Sequence, residues 1–241
     1  GFQSSGQAVS VIKNIIQKEG MDSEKAFITG KTETGKQITV FFPPLVSDAC
    51  GIRCKIRKKR QRCFSEQTYV SGHFAAQQEL RLLSAAVQCG VSILIVGAPG
   101  TGKTAFLEYL LSSVPSGDTV VLEQVCREIS AVQSILLPDA GLTPDLLDAL
   151  LQMMPHTVGF NLNQCVAQEL GLRGLPILAT VCADSSDSGL SCAADEWRKM
   201  HPLDETTALS LTGRLFSLVV VLRKFADGER RIAEILSLIH I

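Results

Sequence analysis

The sequence carries almost no excess charge of either sign. Its 23 Lys and Arg face 24 Asp and Glu, for a formal net charge of −1. That balance excludes a protein that holds polyanions over its whole surface, so any basic patch must be local. Long hydrophobic runs are missing too. A stretch such as "LFSLVVVL" at 215–222 has strand length, well short of the roughly 18 apolar residues that a membrane-crossing helix needs. An initiating Met is absent and the chain stops at "SLIHI", which leads us to expect a piece of a longer protein and leaves targeting signals open. No internal repeat is visible.

Cysteine is not scarce, but metal-site spacing is. The eight cysteines stand at 50, 54, 63, 89, 126, 165, 182 and 192, several inside apolar runs such as "LATVCA". Buried, reduced thiols of a cytosolic protein fit that pattern better than a disulfide framework does. Cys50, Cys54 and Cys63 are spaced C-x3-C-x8-C, without a CxxC pair and with His73 as the nearest further ligand type. Zinc is therefore not expected.

Two regions of different texture follow. In "QAVSVIKNIIQKE" (7–19), Val9, Ile12, Ile15 and Ile16 fall at helical spacing. "KAFITGKTETGKQITVFFPPL" reads as two strands around a Gly-containing turn, ended by Pro43 and Pro44, and "GIRCKIRKKRQRCF" as a strand that turns basic. "SEQTYVSGHF" is polar and is read as a linker. Beyond it, apolar helices alternate with short apolar strands: "VSILIVG", "DTVVLEQV", "LPILATVCA" and "LFSLVVVL". Such alternation predicts a mostly parallel sheet covered on both faces. "LTPDLLDALLQMM" has Thr143 placed to cap a helix and Pro144 at its first position. The polar stretch from Asp184 to about Glu205 shows no clear pattern and is read as a loop.

The chemistry concentrates in one place. Gly97-Ala98-Pro99-Gly100-Thr101-Gly102-Lys103-Thr104 satisfies G-x4-G-K-[ST], after a buried strand and at the start of a helix that continues with Ala105. Glycines let the backbone wrap so that its N–H groups face phosphates, and the helix adds its positive end. Lys103 is expected on the β- and γ-phosphates and Thr104 on Mg²⁺, so ATP with Mg²⁺ is the expected ligand.

The spelling "GAPGTGKT" resembles AAA+ ATPases, but no adjacent Asp-Glu pair follows a downstream apolar run. More of the chain resembles the type II/IV secretion-system ATPases of pilus assembly, conjugation and secretion, the Flp-pilus (tight adherence) branch in particular. "VFFPPLVSDACGIRCKIRKK" (40–59) is similar to that family's proline pair and basic strand, and "LLSAAVQCGVSILIVGAPGTGKT" (82–104) to its helix, strand and P-loop. Leu122-Glu123-Gln124 stands at its acidic box, "LTPDLLDALLQMMP" at its R-M-R-P helix, and "LFSLVVVLRKFADGERRIAEIL" (215–236) at its last strands.

The resemblance breaks where catalysis is expected. Phe160 follows Gly159 where the family has Glu, Gln124 replaces an Asp, and Leu172 and Cys182 stand at the family's histidines. A carboxylate is needed to orient water and support the metal, which Phe cannot do. Glu123 is left as the expected catalytic acid.

The resemblance also implies that Arg57, on the basic strand, reaches nucleotide held by the ATPase domain, with charge assistance as the reason. The basic run 55–62 contains no aromatic platform, which argues against nucleic acid. Arg230 and Arg231 are expected as surface charge, and Trp197 as a half-buried packing residue.

The expected architecture is α/β: a RecA-like P-loop NTPase domain over 71–241, with a smaller N-terminal α+β domain and linker over 1–70. The resemblance implies a homo-oligomer, a hexameric ring, that drives an inner-membrane platform protein from the cytoplasm, peripheral to the membrane's inner face. Two alternatives stay open: a degenerate subunit that binds nucleotide without turnover, and an AAA+-type nucleic-acid motor.

Overall fold

A computed structural model describes residues 5–18, 26–31, 37–46, 52–57, 64–116, 118–122, 133–136, 143–162 and 170–238. Contacts divide the chain into two compact units, Gly1–Arg62 and Cys63–Ile241.

The first unit is α+β. Helix α1 (Ser5–Lys18) accompanies an antiparallel sheet of β1 (Phe27–Lys31), β2 (Gln37–Phe41) and β3 (Arg53–Arg57), in that order. Val9, Ile12 and Ile16 recur at helical spacing, while Ile28, Ile38 and Val40 occupy one face of the sheet by strand alternation. Ile16, Ile28, Ile38, Val40 and Phe42 form the buried cluster, with Val9, Ile12 and Ile52 packed against it. Register places Ile28 opposite Val40 and Ile38 opposite Ile56. A slip of β1 along β2 by one residue would turn Ile28 away from the buried face it shares with Ile38 and Val40, so burial fixes that pairing.

The second unit begins earlier than the sequence suggested. The stretch read as a linker forms helix α2 (Glu66–Ser71), whose Ser65 side chain accepts from the Thr68 amide at 3.2 Å. Tyr69 on that helix is buried among Phe64, Phe74, Phe106 and Tyr109, with ring centroids 4.5 to 5.7 Å away. Burial also pushes its phenol well above the usual tyrosine range, with the nearby Glu108 charge adding to the effect. This aromatic cluster ties the helix to the second unit, so the boundary falls ahead of α2 and not at residue 70.

The elements that follow are α3 (Gln77–Gln88), β4 (Ile93–Gly97), α4 (Lys103–Leu111), β5 (Thr119–Leu122), β6 (Gln133–Leu136), α5 (Pro144–Met153), β7 (Thr157–Asn161) and β8 (Ile177–Val181). Helix α6 (Ser186–Met200), helix α7 (Glu205–Leu215) and strands β9 (Leu218–Lys224) and β10 (Arg230–Ser237) complete the described chain. The strands form one sheet in the order β10-β9-β4-β8-β7-β5-β6, parallel except for β10, which pairs antiparallel with β9.

Alternation along each strand feeds two cores. Ile93, Ile95, Leu178, Val220 and Leu222 face the cluster built with α3 and α4. Leu94, Val96, Ala179, Val219 and Val221 face the cluster that receives Ala193, Ala194, Trp197 and Ala208 from α6 and α7. A parallel sheet buried on both faces needs strands apolar at every position, and β4 and β8 are buried throughout.

Three other expectations are corrected. The region from Asp184 to Glu205 carries the 15-residue helix α6, capped by Ser185, whose hydroxyl accepts from the Ser188 amide. Trp197 on α6 is not half-buried but 1% exposed. Cys54, Cys89 and Cys182 are exposed free thiols rather than buried ones, Cys89 and Cys182 because they follow the ends of α3 and β8. Cys50 and Cys63 lie outside the described residues. Among the described residues no three or more His, Cys, Asp or Glu cluster as a metal site, and no helix is long and apolar enough to cross a membrane.

Candidate functional site

Strand β4 lies between β8 and β9. From its end the chain passes through α4 toward the β5–β6 edge. From β8 it returns through α6 and α7, on the opposite face, to β9. Connections that part in this way open a crevice at the carboxyl ends of the strands, where α/β sheets bind ligands. The G-x4-G-K-[ST] loop occupies that point.

The geometry shows why these residues are needed. A Cβ on Gly97 would sit 2.6 Å from the Thr101 hydroxyl and 2.7 Å from the Leu222 carbonyl, so only glycine lets the loop leave the sheet here. Gly102 caps α4 at φ +99, a left-handed conformation that side chains resist, and it turns the chain into the helix. Thr101, 2% exposed, closes the loop on itself, donating from its hydroxyl to the Ala98 carbonyl at 2.9 Å. Lys103 folds back along the loop and donates to the carbonyls of Gly97 at 2.6 Å and Ala98 at 3.1 Å.

Beside the loop is a cavity of about 610 Å³. Gly100 to Ala105 form one wall, Phe64, Thr68, Tyr69 and Phe74 another, and Gly228, Glu229 and Arg230 a third. That volume is in the range of small-molecule sites, with an apolar aromatic side and a polar end, the division a nucleotide requires. Pro99 is exposed at the loop tip, and Lys103, Thr104 and Ala105 are half-buried.

Other expected site residues fall elsewhere. Glu123 lies outside the described residues; Leu122, just before it, ends β5 beside β7. Arg57 closes β3 in the first unit, opposite Gln37. Phe160 is 1% exposed in the core that α6 and α7 cover, while Leu172 is 53% exposed and Cys182 exposed.

The sequence reading missed Arg230. Its Nε donates to the Gly100 carbonyl at 2.7 Å, joining the β9–β10 hairpin to the loop across 130 residues of chain. Its neighbour Arg231 points elsewhere, with Nη2 2.6 Å from Asp227 and 2.7 Å from Glu229, and its guanidinium stacks 5.1 Å from the Phe225 ring. Those acids hold the Arg231 guanidinium above its usual range, the Glu229 hydrogen bond first. The "RR" pair alone could not show that the two residues part in this way.

Sheet order and loop geometry together define a P-loop NTPase fold. No family model matches the chain. Among solved structures it is similar to the VirB11 ATPase of the Brucella suis type IV secretion system in complex with sulphate, with TM-score 0.56 and 19% identity over 96% of this chain and 80% of that one. It is also similar to the pilus retraction motor PilT with bound ADP, at TM-score 0.59 and 12% identity over 93% and 66% of the two chains. The Legionella pneumophila ATPase DotB gives TM-score 0.57 and 12% identity over 98% and 70%. The fold is thus that of the type IV secretion and pilus ATPases. In sequence, the conjugal transfer protein TrbB of Rhizobium radiobacter is 23% identical over 158 residues, 62% of this chain. The chain spans about half the length, 48%, of that curated relative.

Proposed function

We propose that this chain is an ATP-binding motor subunit of a bacterial pilus, conjugation or type II/IV secretion apparatus. The observation that carries the reading is the P-loop at the sheet's switch point, opening on a cavity of nucleotide size. The similar structures, a retraction motor with bound ADP and an ATPase with sulphate, support the same ligand class. The α4 N-terminus and the loop amides would hold the phosphates, and Lys103 would exchange its two loop carbonyls for phosphate oxygens. Thr104, half-buried on the cavity wall at the second position of α4, would hold Mg²⁺ through its hydroxyl. The ion would supply charge neutralisation on the phosphates. Gly97 to Ala105 thus form the binding set, with Glu123 as the catalytic acid and Arg57 as a contact from the first unit. Assembly as a hexameric ring, an inner-membrane platform partner and a cytoplasmic site of action complete the reading. The 63–241 unit would be the motor domain.

One observation favours a second reading, a subunit that binds nucleotide without turning it over. Phe160 replaces the expected acid and faces the core, so β7 brings no carboxylate to the site at that position. Titration with ATP and Mg²⁺, steady-state hydrolysis over a range of protein concentrations, and a Lys103→Ala control separate the two. Turnover that rises with assembly and vanishes in the control supports the motor. Lys103-dependent binding without turnover supports the second reading, and no binding refutes both.

A further inference from the structure

Arg230 is the feature that the expected nucleotide site does not use. It is the first residue of β10, and it lines the cavity together with Lys103 and Thr104. Adjacent residues of a strand point to opposite sides, and here the two arginines of the hairpin divide the available partners. Arg231 takes the carboxylates of Asp227 and Glu229. The Asp227 carboxylate also accepts from the Glu229 amide at 2.8 Å, so the turn's acids are held away from Arg230. Arg230 makes no ion pair among the described residues and directs its Nε to the loop carbonyl of Gly100. A guanidinium has five donors in a planar fork, so one Nε–H bond leaves the two Nη groups for another acceptor. Its Cδ is 3.7 Å from the place where a Cβ on Gly102 would sit, at the cap of α4.

A cation fixed at that point lines the same cavity as the lysine and the positive helix end. We propose that Arg230 is a phosphate-binding residue of this site, supplied by the C-terminal hairpin: it braces the loop through Nε and meets the nucleotide's phosphate chain through Nη. The proposal rests on the nucleotide-binding reading above and adds to it the residue that couples hairpin to phosphate. Planar bidentate donors to phosphate are the setting in which arginine and lysine are least interchangeable.

The test is titration of the full chain with ATP, ADP and adenosine, in the unmodified protein and in Arg230→Gln, Arg230→Lys, Lys103→Ala and Arg214→Gln. Gln keeps an amide donor for the Gly100 carbonyl but no charge, so it separates bracing from phosphate binding. Arg214, exposed near the end of α7, controls for lost charge alone. We expect Arg230→Gln to weaken ATP by about tenfold or more, the scale of a charge-assisted hydrogen bond, with adenosine unchanged and Lys only partly restoring affinity. Thermal unfolding of each variant should match the unmodified protein. ATP affinity retained in Arg230→Gln but lost in Lys103→Ala would overturn the proposal and leave the nucleotide reading standing. So would an equal loss for ATP and adenosine, which would assign Arg230 to the shape of the cavity. Absence of ATP binding in the unmodified protein would remove the nucleotide reading and this proposal together.

Discussion

Phe160 offers the sharpest separation between a core residue and a damaged catalytic one. On β7 it stands opposite Ala179 of β8, which in turn stands opposite Leu94 of β4, so its ring fills the space left by a methyl group. At 1% exposure the ring is fully inside. Phe160→Ala would lose the transfer energy and leave a cavity that Ala179 cannot close, at a cost of about 3–5 kcal/mol. For a chain of this size that lowers the melting temperature by roughly 10 °C.

Phe160→Glu, which restores the expected acid by name, would be worse and would depend on pH. Burial raises a carboxyl's pKa, so the folded state would bind the proton more tightly than the unfolded one. The variant's stability should therefore fall as pH rises from about 4.3, the unfolded value, through the raised folded value. Circular dichroism melts at several pH values, beside ATP hydrolysis, test this. Phe160→Ala melting like the unmodified protein, or Phe160→Glu gaining ATPase activity at full stability, would refute the placement of this side chain in the core.

Further outcomes follow from the same structure. Gly97→Ala should destabilise the second unit by about 1–3 kcal/mol and weaken ATP binding, because its Cβ meets the Leu222 carbonyl at 2.7 Å; a melt and a nucleotide titration check both. Trp197 is the chain's one tryptophan, so its emission should be blue-shifted and poorly quenched by iodide until unfolding. Asp204 caps α7 through the Thr207 hydroxyl and amide, which hold its carboxyl below the usual range. Its contribution should be present above the unfolded pKa and fade as pH falls through the lowered one; Asp204→Asn should flatten that part of the stability profile.

The parts legible in the sequence were those whose pattern is apolar and local. β4, α4, α5 and β9 announced themselves through runs, caps and the glycine-rich loop. Helix α6 did not, since its buried face is made of Gly189, Ala193 and Ala194, small residues that leave little hydrophobic period, beside a single large side chain, Trp197. A Cβ on Gly189 would lie 2.5 Å from the Val96 side chain, so the smallness is a packing requirement of close helix–sheet approach. β6 is a four-residue strand at the sheet's edge, too short for a period to show. α2 was hidden by polar residues that cap and solvate a short helix around a single buried ring. Arg230 was illegible for a different reason: its partner lies 130 residues earlier, and pairings at that range leave no trace in local spacing.

That distance bears on how the protein is made. β4 emerges from the ribosome long before β8 and β9, the two strands that pair with it. Even the bond from the Ile177 amide to the Ser92 hydroxyl spans 85 residues. Until both neighbours arrive, an entirely apolar strand has two unpaired edges, the state in which chains associate wrongly. The phosphate loop at its tip cannot be braced until the β9–β10 hairpin is translated. The nascent chain therefore holds an unpaired apolar strand until β9 has been made, and completes the described site only once β10 exists.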